Sequence, residues 1–183
     1  MQTINLNPTE TTDLSYLFTQ FLQYRNCQTP SANPNYLGEW LHAQLRSKPC
    51  SPLTELPFEP GTYTRTYIGK DMNTASPNIE AAVPVAEALA MRWDQQAKTS
   101  VHGHPQFSFY YVISGIFEIE LFDRTAAGDL YTREIQQLLP TESTWFQGEA
   151  GRYDNCVHRV TCLEAGLTFH VYSDDALKGV VFE

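Results

Sequence analysis

The sequence predicts an all-β core preceded by two α-helices. Three observations carry this expectation. Before residue 60 the apolar residues recur at helical spacing. From Gly61 onward, short runs of β-branched and aromatic residues are separated by Gly, Pro and Asp turns. The chain has 183 residues, 42% hydrophobic and 13% aromatic, enough for one substantial core. The expected organisation is one compact unit: a helical extension over 1–60 packed on a β-barrel over 61–183.

The first helix is read from "TTDLSYLFTQFLQYRN", where Leu14, Leu17, Phe18, Phe21 and Leu22 share a face and Thr12 or Asp13 caps the start. "NPNYLGEWLHAQLRS" is a second helix, with Tyr36, Leu37, Trp40, Leu41 and Leu45 on one side. "TPSANPN" breaks the two apart, and the four prolines of "KPCSPLTELPFEPG" end helical structure. "TYTRTYIG" is the first strand. "VPVAEALAMRW" has Ala and Glu that suit a helix, but its place between strands favours a strand ending at Trp93. "FSFYYVIS" and "IFEIELFD" read as a hairpin joined at Ser114-Gly115. In the second run Phe117, Ile119 and Leu121 alternate with Ile116, Glu118 and Glu120, with a shift at its end. "LYTREIQQLL", "STWFQG", "VHRVTCLEAG" and "LTFHVYS" complete a set of short strands of the kind found in sandwiches and barrels.

Composition narrows the function. The net charge is -9, from 12 basic and 21 acidic residues, so there is no basic surplus to neutralise phosphates. Nucleic acid and anionic membrane are therefore poor partners. Only 18% of residues are charged, which argues against disorder. No apolar run approaches the roughly 20 residues of a spanning helix. "MQTINLNPTETTD" has neither the basic nor the apolar part of a signal peptide. Cys27, Cys50, Cys156 and Cys162 form no CxxC and read as inert buried thiols in a reducing cytoplasm. The oligomeric state, monomer or small homo-oligomer, is not fixed by these features.

The chemistry concentrates in "TSVHGHPQFSFYYVISG". His102 and His104 are two of only five histidines. On a strand of period two they point to one face. His158, in "YDNCVHRVTC", supplies a third imidazole from a neighbouring strand. Three neutral imidazoles can coordinate a first-row metal and leave positions open for substrate and dioxygen. No Glu or Asp lies between His104 and Gly115, so the carboxylate of a two-His-one-carboxylate site is missing. Three histidines alone also suit nickel, zinc or copper. His42 reads as a surface residue without partners.

The H-x-H step, Gly115 eleven residues on and a distant His resemble a cupin, with Ser108 where the usual Glu ligand stands. Three histidines without that Glu resemble the cysteine dioxygenase family. "YTR" at Tyr63–Arg65, "SVHGHP", "HRV" at His158–Val160 and "FHVYS" at Phe169–Ser173 resemble its segments in the same order. The resemblance runs from Tyr63 to Ser173. It implies iron(II) on His102, His104 and His158, and dioxygen added to a thiol sulfur to give a sulfinic acid. It implies substrate binding by Arg65 with Tyr63, and catalytic roles for Tyr172 and His170. Thr168 would share their strand face, and Trp93 would line the pocket with Tyr63. The physics agrees. Three neutral ligands leave more charge on the metal to favour a thiolate, and a guanidinium grips a carboxylate bidentately.

The sequence also departs from the family. The position of the cross-linking cysteine holds Ser108 or Phe109, as in bacterial-type members without the Cys-Tyr thioether. Cys162 stands where cupins usually have Asn. The segment between His158 and His170 is short, and a C-terminal segment that helps close the pocket in larger members is not expected here. The substrate range extends from L-cysteine to 3-mercaptopropionate or a thiol without a carboxylate. A metal-binding cupin without turnover and a purely structural cupin are the rival classes.

Overall fold

The computed structural model describes residues 12–27, 35–48, 56–71 and 86–182. The N-terminal stretch, most of the "TPSANPN" break and Cys50 lie outside the described residues. Two helices come first, α1 Thr12–Cys27 and α2 Tyr36–Ser47. Eight strands follow: β1 Tyr63–Lys70, β2 Glu87–Trp93, β3 Val101–His104, β4 Phe107–Arg124, β5 Leu130–Leu138, β6 Ser143–Gln147, β7 Asn155–Tyr172 and β8 Val181–Phe182. They form one curled sheet. One path runs β1-β2-β7-β3-β8, and β4 pairs with β5, β6 and β7. The ambiguous "VPVAEALAMRW" run is a strand over its described part, β2. Neither helix is long and apolar enough to cross a membrane.

Each face of the sheet carries its own core. On the outer face Ala88, Ala90, Phe107, Phe109, Tyr111, Phe169 and Val171 pack against Leu14, Phe18, Phe21, Leu37, Leu41 and Leu45 of the helices. Fully burying a side chain such as Phe21 or Leu41 contributes about 1.5–3 kcal/mol, which is what holds short helices of modest intrinsic stability in place. The inner face buries Met91, Trp93, Val112, Phe117, Ile119, Leu121, Val160 and Cys162. Polar contacts pin the helices. Arg25 meets Asp71 at 2.8 Å, both largely buried, and the Ser15 hydroxyl donates to the Ile68 carbonyl at 3.0 Å. His42 is not the partnerless surface residue expected. Its Nδ1 is 2.6 Å from Ser143 Oγ, across 101 residues, and it packs beside Trp145.

The expected hairpin at Ser114-Gly115 does not form. β4 runs straight through it as one 18-residue strand. Its register against β7 shifts between Val112 and Phe117, and Gly115 has φ 85°. This irregularity changes which residues face inward. Tyr110 and Val112 are inward before it, and Phe117, Ile119 and Leu121 after it. A bulge of this kind adds a residue and flips the alternation. The second shift, read from the end of "IFEIELFD", is real and lies between Leu121 and Phe122.

β7 likewise joins two expected strands into one of 18 residues. Gly166 does not turn the chain; it lets the backbones touch. A Cβ at Gly166 would sit 2.0 Å from the Ser114 carbonyl oxygen, and one at Gly115 2.5 Å from that of Glu164. Both obstacles are backbone, so neither can swing aside. Gly166→Ala is therefore expected to cost at least about 3 kcal/mol, read as a fall in the midpoint of chemical denaturation. A variant within about 0.5 kcal/mol of the parent would contradict this contact.

Candidate metal centre and substrate cavity

The site is built by the pairing of β3 with β7. His102 lies directly across from His158, while His104 pairs with Asn155. Two residues of advance on β3 thus match three on β7. The additional residue is accommodated around Cys156, a non-glycine with φ 43°. A bulge beside a site re-aims side chains, and here it sets His158 against the His102–His104 step. Gly103 between the two histidines has its own reason: a Cβ there would meet the Asp154 Cα at 2.5 Å.

The three rings converge. Their centroids are 4.7–4.8 Å apart, and one ligand atom from each lies within 4.8 Å of the others. His102 Nδ1 is 2.9 Å from the Ser100 carbonyl, and His158 Nδ1 is 3.0 Å from the Cys156 carbonyl. Only an N–H can serve a carbonyl, so both protons are assigned to Nδ1 and both Nε2 lone pairs are free. His104 is 3% exposed, and neither of its ring nitrogens has a hydrogen-bond partner among the described residues. Burying an unpaired ring nitrogen is costly. A cation between the rings would take the lone pair of one of these nitrogens, so the donor set fits a first-row metal.

Burial lowers the pKa of all three rings. His102 is lowered mainly by burial and His104 well below its usual value by burial and then by its two neighbours. His158 is pushed down to about 3 by burial and then by His102. The rings are therefore neutral and available as ligands at ordinary pH.

The triad opens on a narrow cavity whose empty volume, mouth included, is about 400 Å³. Arg65, Met91, Trp93, His170, Tyr172 and Ala176 help to wall it. Arg65 is half-buried and, among the described residues, has no carboxylate partner; its Nη2 lies 3.4 Å from the Tyr63 hydroxyl. None of the described lining residues is acidic. The pocket of this acidic protein is thus cationic. Tyr63 stands behind the wall rather than in it, its ring tilted against Trp93 at 4.4 Å and its hydroxyl steadying Arg65.

Thr168, His170 and Tyr172 lie along the inner face of β7 as their alternation predicts. Trp93 Nε1–H donates to Thr168 Oγ1 at 2.8 Å. Thr168 Oγ1 is 2.7 Å from His170 Nε2, and Tyr172 Oη is 3.0 Å from His170 Nδ1. Burial first, and then Arg65, holds His170 neutral. The network is satisfied when Thr168 donates to Nε2 and Nδ1–H donates to the phenol, which frees the Tyr172 proton for the cavity. Tyr172 stacks on His104 at 5.1 Å, and burial raises its pKa, keeping the proton on.

Other sites differ from expectation. Ser108 is the direct register partner of Tyr172, so the residue beside the phenol offers a hydroxyl and no thiol. Cys27 is exposed, Cys156 half-buried and Cys162 buried, so not all the thiols are interior. Cys162 donates to the Glu164 carbonyl at 3.1 Å and packs in the inner core. The residues after Tyr172 do reach the pocket: Ala176 walls it and β8 pairs with β3. The carbonyls of Ser100 and Cys156, and the side chains of Leu89, Met91 and Tyr110, are parts of the site that no sequence motif marks. The period-two spacing of Leu89 and Met91 with Trp93 was the available signal.

The neutral rings link stability to pH. In the metal-free chain His102, His104, His158 and His170 all have folded pKa values below the ordinary 6.5. Below that pH the unfolded chain binds more protons, so stability falls with pH, and each ring still neutral in the fold costs about 1.4 kcal/mol per unit. For His158 the loss continues to about pH 3. Denaturation midpoints of the metal-free protein are expected to drop steadily from pH 7 to pH 5. A flat profile would contradict a neutral buried cluster.

No protein-family profile matches the chain, and no curated protein matches it. Solved structures similar to it include an RmlC-like cupin from Shewanella frigidimarina, at 18% identity and a TM-score of 0.42, covering 66% of this chain and 83% of that one. KdgF from a Halomonas species is similar at 21% identity and a TM-score of 0.42, covering 64% and 83%. A cupin superfamily protein from Desulfitobacterium hafniense is similar at 10% identity and a TM-score of 0.47, covering 68% and 90%.

Proposed function

We propose that this chain is an iron(II)-dependent thiol dioxygenase acting on L-cysteine or a related small thiol carboxylate. The overall change is RSH + O2 → RSO2H. Both oxygen atoms stay on sulfur and no external reductant is consumed. The observation that supports it most is the pairing, in one cavity, of three converging neutral imidazoles with a guanidinium that has no acid partner among the described residues. The first suits a metal; the second suits a carboxylate on a molecule small enough to reach that metal.

Iron(II) held by His102, His104 and His158 would supply the redox chemistry that joins dioxygen to a thiolate. The chain's own residues do the rest. Arg65 grips the carboxylate and fixes the direction of the thiol. Leu89, Met91 and Trp93 give the cavity apolar walls that exclude water. Tyr172, oriented by His170 and Thr168, donates its phenolic proton toward the reacting end of the cavity. Its raised pKa suits a donor that keeps its proton rather than a base.

The test is anaerobic reconstitution with iron(II), then oxygen uptake and sulfinate detection with L-cysteine and 3-mercaptopropionate in parallel. Stoichiometric sulfinate from at least one of them is expected. His104→Ala should abolish metal retention and product together. Arg65→Ala should raise KM about 10- to 100-fold, the value of a charge-assisted pair. Tyr172→Phe should lower kcat by at least about tenfold with KM little changed. Tight iron binding with no sulfinate from either thiol would overturn the reading.

A further inference from the structure

The inner face of β2 carries Leu89, Met91 and Trp93 toward the cavity, and two residues before Leu89 the same face carries Glu87. Glu87 is 0% exposed. An apolar residue there would avoid the cost of burying a carboxylate, so packing alone does not account for it. Its Oε1 accepts the backbone N–H of Ala176 at 2.7 Å, across 89 residues. Its Oε2 has no hydrogen-bond partner among the described residues. Lys70 Nζ, on β1, stands 3.9 Å from Glu87 and 3.9 Å from Asp175. One buried carboxylate therefore ties β2 to a turn at the cavity.

That turn belongs to a strap over residues 173–182. At one end Ser173 and Phe107 exchange hydrogen bonds, N–H to carbonyl at 3.0 Å and N–H to hydroxyl at 2.9 Å. At the other end Val181 and Phe182 pair with His102 and Val101. Between them lies the 3-10 turn Ala176–Lys178, capped by Asp175. Leu177 and Lys178 face solvent, while Ala176 walls the same cavity as Arg65 and the three histidines. Glu87 reaches the middle of the strap, where the end anchors do not.

We propose that Glu87 is a positioning residue that holds the Ala176 turn down as a wall of the cavity, and so restricts the site to short thiol carboxylates. The substrate class rests on the function proposed above; the latch does not. Glu87→Ala removes the acceptor. Glu87→Gln keeps an acceptor oxygen and the shape but loses the attraction to Lys70.

The first readout is amide exchange at Ala176 and Leu177, which needs neither metal nor turnover. Loss of a buried acceptor should speed it about tenfold or more in Glu87→Ala and less in Glu87→Gln, with the amides of β7 unchanged. The second is a kinetic split with 3-mercaptopropionate against the longer 4-mercaptobutyrate. In Glu87→Ala, KM for the short thiol should rise about tenfold with kcat within about threefold, and the preference over the longer thiol should shrink. Iron affinity should stay within about twofold, because Glu87 touches none of the three histidines. Unchanged exchange in Glu87→Ala, or in Glu87→Gln should the alanine variant not fold, overturns the latch. Faster exchange with an unchanged preference between the two thiols overturns the restriction. If no thiol is oxidised, the proposed function falls alone, and the exchange rates still decide whether Glu87 holds the turn.

Discussion

The register of β3 against β7 is the constraint on which the site depends. An H-x-H step can present two imidazoles to one face, but a third must arrive from a neighbouring strand at the same height. Placing His158 directly across from His102 achieves this. The extra residue of β7 around Cys156 then lets His104 reach the same point. A one-residue slip would turn His158 to the outer face, among the residues that receive the helices. The β4 spine holds β7 in place for that register. β4 pairs with β7 from Ser108 to Leu121, and so spans the stretch of β7 from His158 to Tyr172.

The same barrel reconciles opposing electrostatic demands. The chain is acidic, yet its cavity holds one guanidinium and four rings that burial keeps uncharged. Surface acids are screened within about 10 Å at moderate salt, whereas a charge inside the barrel is not. The charge that lines the cavity is therefore that of Arg65, not the net charge of the chain. Glu87 does not line the cavity, and its Oε1 accepts the Ala176 N–H behind the wall.

Much of this was legible in the sequence because the signals were local. The helical stripes, the alternation of Phe117, Ile119 and Leu121, and the H-x-H step each depend on neighbours in the chain. The segments "YTR", "SVHGHP", "HRV" and "FHVYS" carry Arg65, the histidines and Tyr172, which line one cavity. Gly115 and Gly166 misled because a glycine in a β-rich run signals a turn, a bulge or a close approach equally well. Which applies is decided by a strand some fifty residues away. "FSFYYVI" is apolar on both faces, so its pattern could not reveal the change of phase that follows. His42 with Ser143 and Glu87 with Ala176 were illegible for a plainer reason: each pair is joined only by the fold.

The face of β7 that carries Thr168, His170 and Tyr172 gives the barrel its chemical direction. Trp93 donates to Thr168, and an indole N–H can only donate. With that donor fixed at one end, a Thr168 that turns its proton to His170 Nε2 leaves His170 Nδ1–H to donate to Tyr172. The order holds only while His170 is neutral, since an imidazolium would place protons on both nitrogens and leave Thr168 accepting from both sides. Burial of His170, with the positive charge of Arg65 nearby, keeps it neutral. The positive charge of Arg65 therefore also favours the neutral His170 on which that donor order depends.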